Sequence, residues 1–256
     1  MVSLERKFQS KPFYYKLNGE YALFTDPMSK GGGEKFTYQV PTYQALKGIT
    51  ECIYWKPTLI WYIDEVKVIK TIQTETKGIR SLKLELKSDG SNANDLNYYT
   101  YLKNVEYLVK AHFEWNENRI DLKPDRQEVK HQEIMLRSIN KGGRRDVFIG
   151  TRECMGYVEK INEEIYNSVE SGYNGRYLSF GIMFHSFVYP DEGHNDNTYN
   201  HLSSNFSNIM MKDGIIRFCR PDECEITHQL HQQEMKVFGE HDMTMVHEEY
   251  DWGDGK

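Results

Sequence analysis

Residues 98–115, YYTYLKNVEYLVKAHFEW, restrict what this chain can fold into more than any other stretch. Val105, Tyr107, Val109, Ala111 and Phe113 alternate with Glu106, Lys110, His112 and Glu114, and a two-residue apolar period places the first set on one face of a strand. A strand patterned this way has to bury that face, so the chain needs a sheet with something packed against it. Its neighbours supply both. Residues 58–70, TLIWYIDEVKVIK, are β-branched and aromatic, as a strand favours. Residues 40–57 put apolar side chains at 45, 46, 49, 52 and 53, the spacing of an amphipathic helix that Pro57 closes. Tyr54 projects roughly 80–100° from that stripe at 3.6 residues per turn, so it is expected at the rim.

Residues 11–24 read as an extended strand broken at Asn18-Gly19, while 26–35 and 87–95 read as loops. Asp125 and Glu128 have the D-x-x-E spacing of a capping box. The helix they would open has Met135, Leu136 and Ile139 on its apolar face and Gly142 just past its end. Residues 146–158 return as strand. The order strand, helix, strand, strand, helix, strand is the βαββαβ pattern of ferredoxin-like (RRM-like) domains. The expected fold class is therefore α+β: a ferredoxin-like domain over 1–160, a small antiparallel β-rich domain over 161–240 with strands at 177–190 and 213–219, and an acidic tail over 241–256.

The formal net charge of −6 argues at first against a nucleic-acid binder, because phosphate neutralisation dominates such affinity. The average conceals an uneven distribution. From Pro221 onward ten acidic residues face two lysines, Lys236 and Lys256, so that segment carries −8 and residues 1–220 carry +2. Within 130–152, Lys130, Arg137, Lys141, Arg144, Arg145 and Arg152 stand against Glu133 and Asp146. Such a patch binds a polyanion, or it is a solvated helix with a basic end; the sequence alone leaves both open. The four cysteines, Cys52, Cys154, Cys219 and Cys224, form no CxxC pair and lie beside no histidine at metal-ligand spacing, which points to a reduced, cytoplasmic setting and to no metal. No signal-type segment and no run of about 18 apolar residues occurs, so neither export nor a membrane span is indicated.

Four stretches, EYALFTDPMSKGGGEKFTYQVPTYQALKGITECIYWKP, LKNVEYLVKAHFEWN, KHQEIMLRSINKGGRRDVFIGTREC and IMFHSFVYPDE, together and in this order, resemble the Cas-five family of type I-C CRISPR systems, within the RAMP superfamily. The resemblance runs from about residue 13 to about residue 190. It implies a ferredoxin-like domain followed by a small antiparallel sheet. It also implies an endoribonuclease that cuts the repeat RNA of the CRISPR transcript without a metal or other cofactor, then stays on the 5′ handle of the guide RNA with the large and backbone subunits of the effector complex. The family's catalytic residues fall on the Tyr of IYWKP, Tyr54, and the pair in VKHQE, Lys130 and His131.

Those residue types suit the chemistry. RNA carries its own nucleophile, the 2′-OH; a metal-free cutter aligns it, moves two protons and stabilises the phosphorane. Imidazole can move a proton in either direction near neutral pH, an ammonium is a compact charge for phosphate oxygens, and the start of a helix favours an anion. A phenol with its ordinary pKa near 10 needs help to act as a base. By spacing alone, His131 reads more readily as a buried structural histidine, Lys130 as a surface lysine and Tyr54 as a packed helix-end aromatic. For RNA binding the candidates are Lys30, Lys35, Lys141, Arg144, Arg145 and Arg152, the arginines because their forks match phosphate. His112 shares a strand face with Lys110 and reads as partner-facing or internally satisfied ahead of a contact with RNA across the sheet, and His185 is expected to lie in the core. KGGRRD lacks Walker spacing, which disfavours a nucleotide hydrolase. Two other functions compete: a non-catalytic scaffold capping the 5′ end of guide RNA, and nonspecific binding of duplex DNA.

Overall fold

The structure is a computed structural model and describes residues 7–26, 29, 33–86, 88, 90, 92–192 and 201–234. The acidic tail and Lys30 lie outside the described residues. The fold is mixed α/β and dominated by an antiparallel sheet. Its centre is β5 (Asn92–Trp115), the strand that the alternating stretch foretells. The second half of β5 pairs antiparallel with β1 (Phe13–Ala22) on one side and β3 (Leu59–Val68) on the other. Its first half pairs with β4 (Thr74–Leu86) and, in parallel, with the two-residue β2 (Lys35–Phe36). Beyond β1 come β7 (Met155–Lys160) and β6 (Val147–Phe148).

The late strands join the same sheet. From β3 the order continues through β10 (Ile215–Arg217) to β9 (His201–Lys212), which also carries β8 (Tyr177–Val188) and β11 (Ile226–Gln232). Met183, Ile209, Met211 and Ile216 belong to the same hydrophobic core as Leu17, Trp61 and Phe113. Two longer helices cover the sheet, α1 (Tyr43–Ile53) and α2 (Glu128–Asn140), and a short α3 (Glu163–Ser168) follows β7. Helix α1 starts at Thr42, whose hydroxyl accepts the Ala45 amide at 3.2 Å, and it buries Leu46, Ile49 and Ile53. Met135 and Ile139 of α2 enter the same core, so burial of the two apolar stripes fixes both helices on the sheet. Among the described residues no helix is long and apolar enough to cross a membrane.

Several local expectations change. β1 runs unbroken through Asn18 and Gly19, which pair with Glu106 and Val105. Glycine is needed at 19 for a close approach rather than a turn: a Cβ there would meet Ile149 at 2.7 Å and the Met155 carbonyl at 2.8 Å. Residues 146–158 form two short strands, β6 and the start of β7, separated by a turn. Gly150 supplies that turn at φ +95°, with the Leu23 carbonyl pressed against its Cα. The capping box at Asp125 does not form. Asp125 ends a 3-10 turn (Ile120–Asp125), and Gln127, in extended conformation, is the N-cap of α2 without a side-chain hydrogen bond. The expected C-terminal glycine holds: Gly142 has φ +79° and its amide donates to the Ile139 carbonyl at 2.9 Å.

Candidate active site and a basic cleft

α1 ends at Ile53, and Tyr54 leaves the helix in extended conformation (φ −158°, ψ 124°), so helical projection no longer sets its direction. The ring turns inward and is fully buried, not at the rim. Trp61 of β3 fixes it from behind, its indole N–H donating to the Tyr54 carbonyl at 2.8 Å. The Tyr54 hydroxyl then lies 2.7 Å from Nδ1 of His131, which sits in the first turn of α2. His131 is also fully buried, edge-on to Phe113 and Trp115.

The other ring nitrogen settles the proton arrangement. His131 Nε2 is 2.8 Å from the backbone carbonyl of Asp125, and a carbonyl can only accept, so Nε2 carries the hydrogen. Nδ1 of the neutral ring is then the acceptor, and the Tyr54 hydroxyl donates to it. The Asp125 carboxylate lies 3.5 Å from Nε2, accepts from the Thr58 hydroxyl at 2.7 Å and pairs with the Lys130 ammonium. Asp125 thus joins imidazole, ammonium and the turn that leads into β3, a hub that the sequence presents as a helix cap. Its carboxyl is pushed up by partial burial, but the hydrogen bonds from Lys130 and Thr58 outweigh this and hold it below its ordinary value.

Burial also lowers the His131 pKa below its ordinary value, opposed by the Asp125 carbonyl and carboxylate and reinforced by Lys130 and Lys56. Burial, then the Asp125 charge, push the Tyr54 phenol up to about 12, with Arg144 pulling the other way. At neutral pH the pair is therefore an uncharged imidazole accepting from an un-ionised phenol. Neither can hold a full charge without reorganisation of its surroundings.

The remaining candidates divide. Arg144 and Lys141, with Arg137, Ser138 and Asn140, line a cleft of about 740 Å³ at the C-terminal end of α2. The Arg144 guanidinium lies 5.4 Å from the centre of the Tyr54 ring and links this cleft to the phenol. The amides of Arg144 and Arg145 both donate to the Cys52 carbonyl at 3.2 Å, which ties the basic loop to the end of α1. Arg145 and Arg152 are exposed. Lys35 stands apart on β2, its ammonium 4.8 Å over the Tyr99 ring. His112 is only half satisfied: Nδ1 sits 2.8 Å from Asp64 with the ring stacked on Tyr62, while its buried Nε2 lies 3.6 Å from Glu114 and has no hydrogen-bond partner among the described residues. His185 is buried, as expected. Sequence spacing offered no ligand set, yet among the described residues His185, Cys219 and Cys224 converge with ligand atoms all within 4.8 Å of one another. None of the three belongs to the Tyr54 constellation.

The family model described as CRISPR-associated protein (Cas_Cas5) matches residues 14–219. Two relatives are named CRISPR pre-crRNA endoribonuclease Cas5d. The one from Mannheimia succiniciproducens is 32% identical over an alignment of 143 positions that covers 48% of this chain and 60% of that relative. The one from Thermus thermophilus is 29% identical over 184 residues, 69% of this chain and 73% of that relative. A solved structure of a CRISPR-associated protein matches with a TM-score of 0.72 at 45% identity, covering 87% of this chain and 99% of that one.

Proposed function

The chain belongs to the CRISPR-associated Cas5 family, and from that premise we propose that it is a metal-independent endoribonuclease. Its substrate is the repeat hairpin of precursor CRISPR RNA, and after cutting it stays on the 5′ handle of the guide RNA beside the large and backbone subunits of the type I-C surveillance complex. The observation that carries this reading is the 2.7 Å contact between the Tyr54 hydroxyl and His131 Nδ1, with Lys130 joined to both through Asp125. Residue 54 follows the end of α1 and residue 131 lies in α2, and the contact gives a phenol, an imidazole and an ammonium one common locus.

In this reading Tyr54 Oη takes the 2′-OH proton while passing its own to His131 Nδ1, so that no phenolate has to form against a pKa near 12. The resulting imidazolium keeps Nε2–H on the Asp125 carbonyl and gains the neighbouring carboxylate. O2′ bonds to phosphorus, the P–O5′ bond breaks and the 5′-oxygen takes a proton from water to leave as a hydroxyl, giving a 2′,3′-cyclic phosphate; the His131 imidazolium later returns its extra proton to solvent. Lys130 stabilises the phosphorane, and the N-terminus of α2 adds its dipole. Because Tyr54 and His131 are closed to solvent and Lys130 is held by Asp125, the scissile phosphate enters by replacing the Asp125 carboxylate at Lys130. That exchange frees the Asp125 carboxylate for His131 Nε2 and opens a path to the Tyr54 hydroxyl, while the Asp125 carbonyl stays on the ring. Arg137, Lys141 and Arg144 hold flanking phosphates in the cleft, and Lys35, Arg145 and Arg152 contribute outlying charge.

The finer fold reading belongs to the same proposal. Taken alone, β1, α1, β3, β5, α2 and β7 in chain order, with β7-β1-β5-β3 across the sheet and every neighbour antiparallel, support a ferredoxin-like unit. β8 to β11 form the second part, joined to the first where β10 pairs with β3.

The scaffold alternative, a guide-RNA cap without catalysis, draws on one observation: both His131 nitrogens have partners and the ring is fully buried, as in a structural histidine. One assay separates the two. Purified protein with cognate repeat RNA in EDTA gives a single cut with a cyclic phosphate end, and His131→Ala abolishes the cut while RNA affinity stays. Intact RNA that is nonetheless bound would overturn the enzyme reading. Duplex DNA binding is tested by salt titration; a steep slope without sequence preference marks phosphate contacts alone.

A further inference from the structure

We propose that His185, Cys219 and Cys224 form a binding site for a soft divalent cation, zinc being the ion their ligand set suits. The site is independent of the nuclease reading and shares no residue with it.

The distances are those of a tetrahedral edge. Cys219 Sγ lies 3.8 Å from Cys224 Sγ and 3.9 Å from His185 Nε2. A zinc ion about 2.3 Å from sulfur and about 2.0–2.1 Å from nitrogen, at tetrahedral angles, separates two sulfurs by about 3.8 Å and a sulfur from a nitrogen by about 3.5 Å. The remaining pair, Cys224 and His185, lies within 4.8 Å, so that edge closes by up to about 1.3 Å when all three atoms meet one ion. Two thiols and an imidazole also form the donor set that borderline-soft zinc favours over the hard, oxygen-seeking cations.

The imidazole is held for that purpose. His185 is fully buried, stacked on Tyr43 of α1 with ring centres 4.4 Å apart and set edge-on to Phe218. Its Nδ1 lies 3.0 Å from the Ser186 hydroxyl, so Nε2 is the nitrogen turned to the thiols. An outer partner on the second nitrogen is the usual means of orienting a metal-binding histidine. The thiols are set by a short loop: between them Arg220 to Glu223 make a 3-10 turn closed by the Arg220 amide on the Glu223 carboxylate at 3.1 Å. Both cysteines are only half-buried, so an ion can enter from solvent. The Ser207 hydroxyl, 3.4 Å from Cys219 Sγ, or a water completes the coordination.

Binding converts two thiols to thiolates, releases two protons and leaves the site with no net charge. It ties β8 to the chain leaving β10 and to the turn before β11, with α1 behind the imidazole. Its expected role is structural: it fastens the last strands to the rest of the molecule.

The test is a cobalt titration of the whole chain, purified in reductant and stripped of metal. One equivalent of Co²⁺ is expected to produce a thiolate-to-cobalt charge-transfer band and tetrahedral visible bands, both lost when Zn²⁺ is added. Zn²⁺ is expected to raise Tm and to protect two of the four cysteines from alkylation. Cys219→Ser and Cys224→Ser should each diminish the charge-transfer band and abolish the Tm response, while His185→Gln should weaken Co²⁺ binding at least tenfold. The wild-type titration needs no variant to fold, so it decides the matter alone: no thiolate band at one equivalent, or a Cys219–Cys224 disulfide that forms in reductant and excludes the metal, overturns the site.

Discussion

Tyr54→Phe removes one oxygen from a fully buried pair and leaves every carbon in place. His131 Nε2 is committed as a donor to the Asp125 carbonyl, so Nδ1 stays an acceptor and loses its only hydrogen bond, the 2.7 Å one from the phenol. Leaving a buried acceptor without a partner costs about 1–3 kcal/mol. For a chain of this size each kcal/mol moves Tm by about 2–4 °C, so the variant should melt roughly 2–12 °C lower. In a His131→Ala background the same change removes a hydroxyl that already lacks its acceptor, and it should be neutral or slightly stabilising. The double-mutant cycle in chemical denaturation then yields a coupling of about 1–3 kcal/mol. Single-turnover cleavage of repeat RNA by Tyr54→Phe should fall by about 10²–10⁴, the range for loss of a positioned proton-transfer group. Coupling within about 0.3 kcal/mol of zero would refute the hydrogen-bonded pair. A clear stability loss with cleavage unchanged would keep the pair and remove Tyr54 from the chemistry.

Other outcomes follow from the same geometry. The folded pKa of His131 is depressed, so its contribution to stability is complete above the ordinary imidazole value near 6.5 and is lost as pH falls through its lower folded value; urea midpoints against pH should drop more steeply on the acid side for wild type than for His131→Asn, and equal slopes contradict the shift. Asp125→Asn removes the anion that competes with RNA phosphate for Lys130, so RNA should bind more tightly even as the fold loses about 1.5–3 kcal/mol from the charged hydrogen bonds; weaker RNA binding rejects phosphate exchange at Lys130. Arg144→Ala and Lys141→Ala, both in the cleft at the end of α2, should each reduce the slope of log affinity against log salt by about 0.7, the increment for one phosphate contact with a single strand; an unchanged slope places the RNA elsewhere.

Much of the fold was legible because its signals are local. Alternation in 98–115 gave the central strand, the stripe at 46, 49 and 53 gave α1 and its buried face, and Gly142 marked the end of α2. Where local rules misled, a tertiary contact had taken over the residue. Gly19 reads as a turn glycine but is there for the close approach of Ile149 and the Met155 backbone. Asp125 reads as a cap, but its carboxylate is engaged by Thr58, 67 positions away, and by Lys130. Tyr54 reads as a rim residue on a helical wheel that ends one residue too early to describe it.

By itself, then, the sequence determined the central strand, several of its partners and the two longer helices, which of their faces are apolar, and which residues carry the resemblance to one family; β4, β9, β11 and the start of β5 were not legible in it. Only the tertiary structure decided which of these faces meet. It alone set Tyr54 against His131 across 77 positions and His185 against Cys219 across 34. The physical reason is that periodicity records how each segment lies relative to the core as a whole, whereas a hydrogen bond or a ligand set depends on the register and crossing of segments that are neighbours only after the sheet has formed.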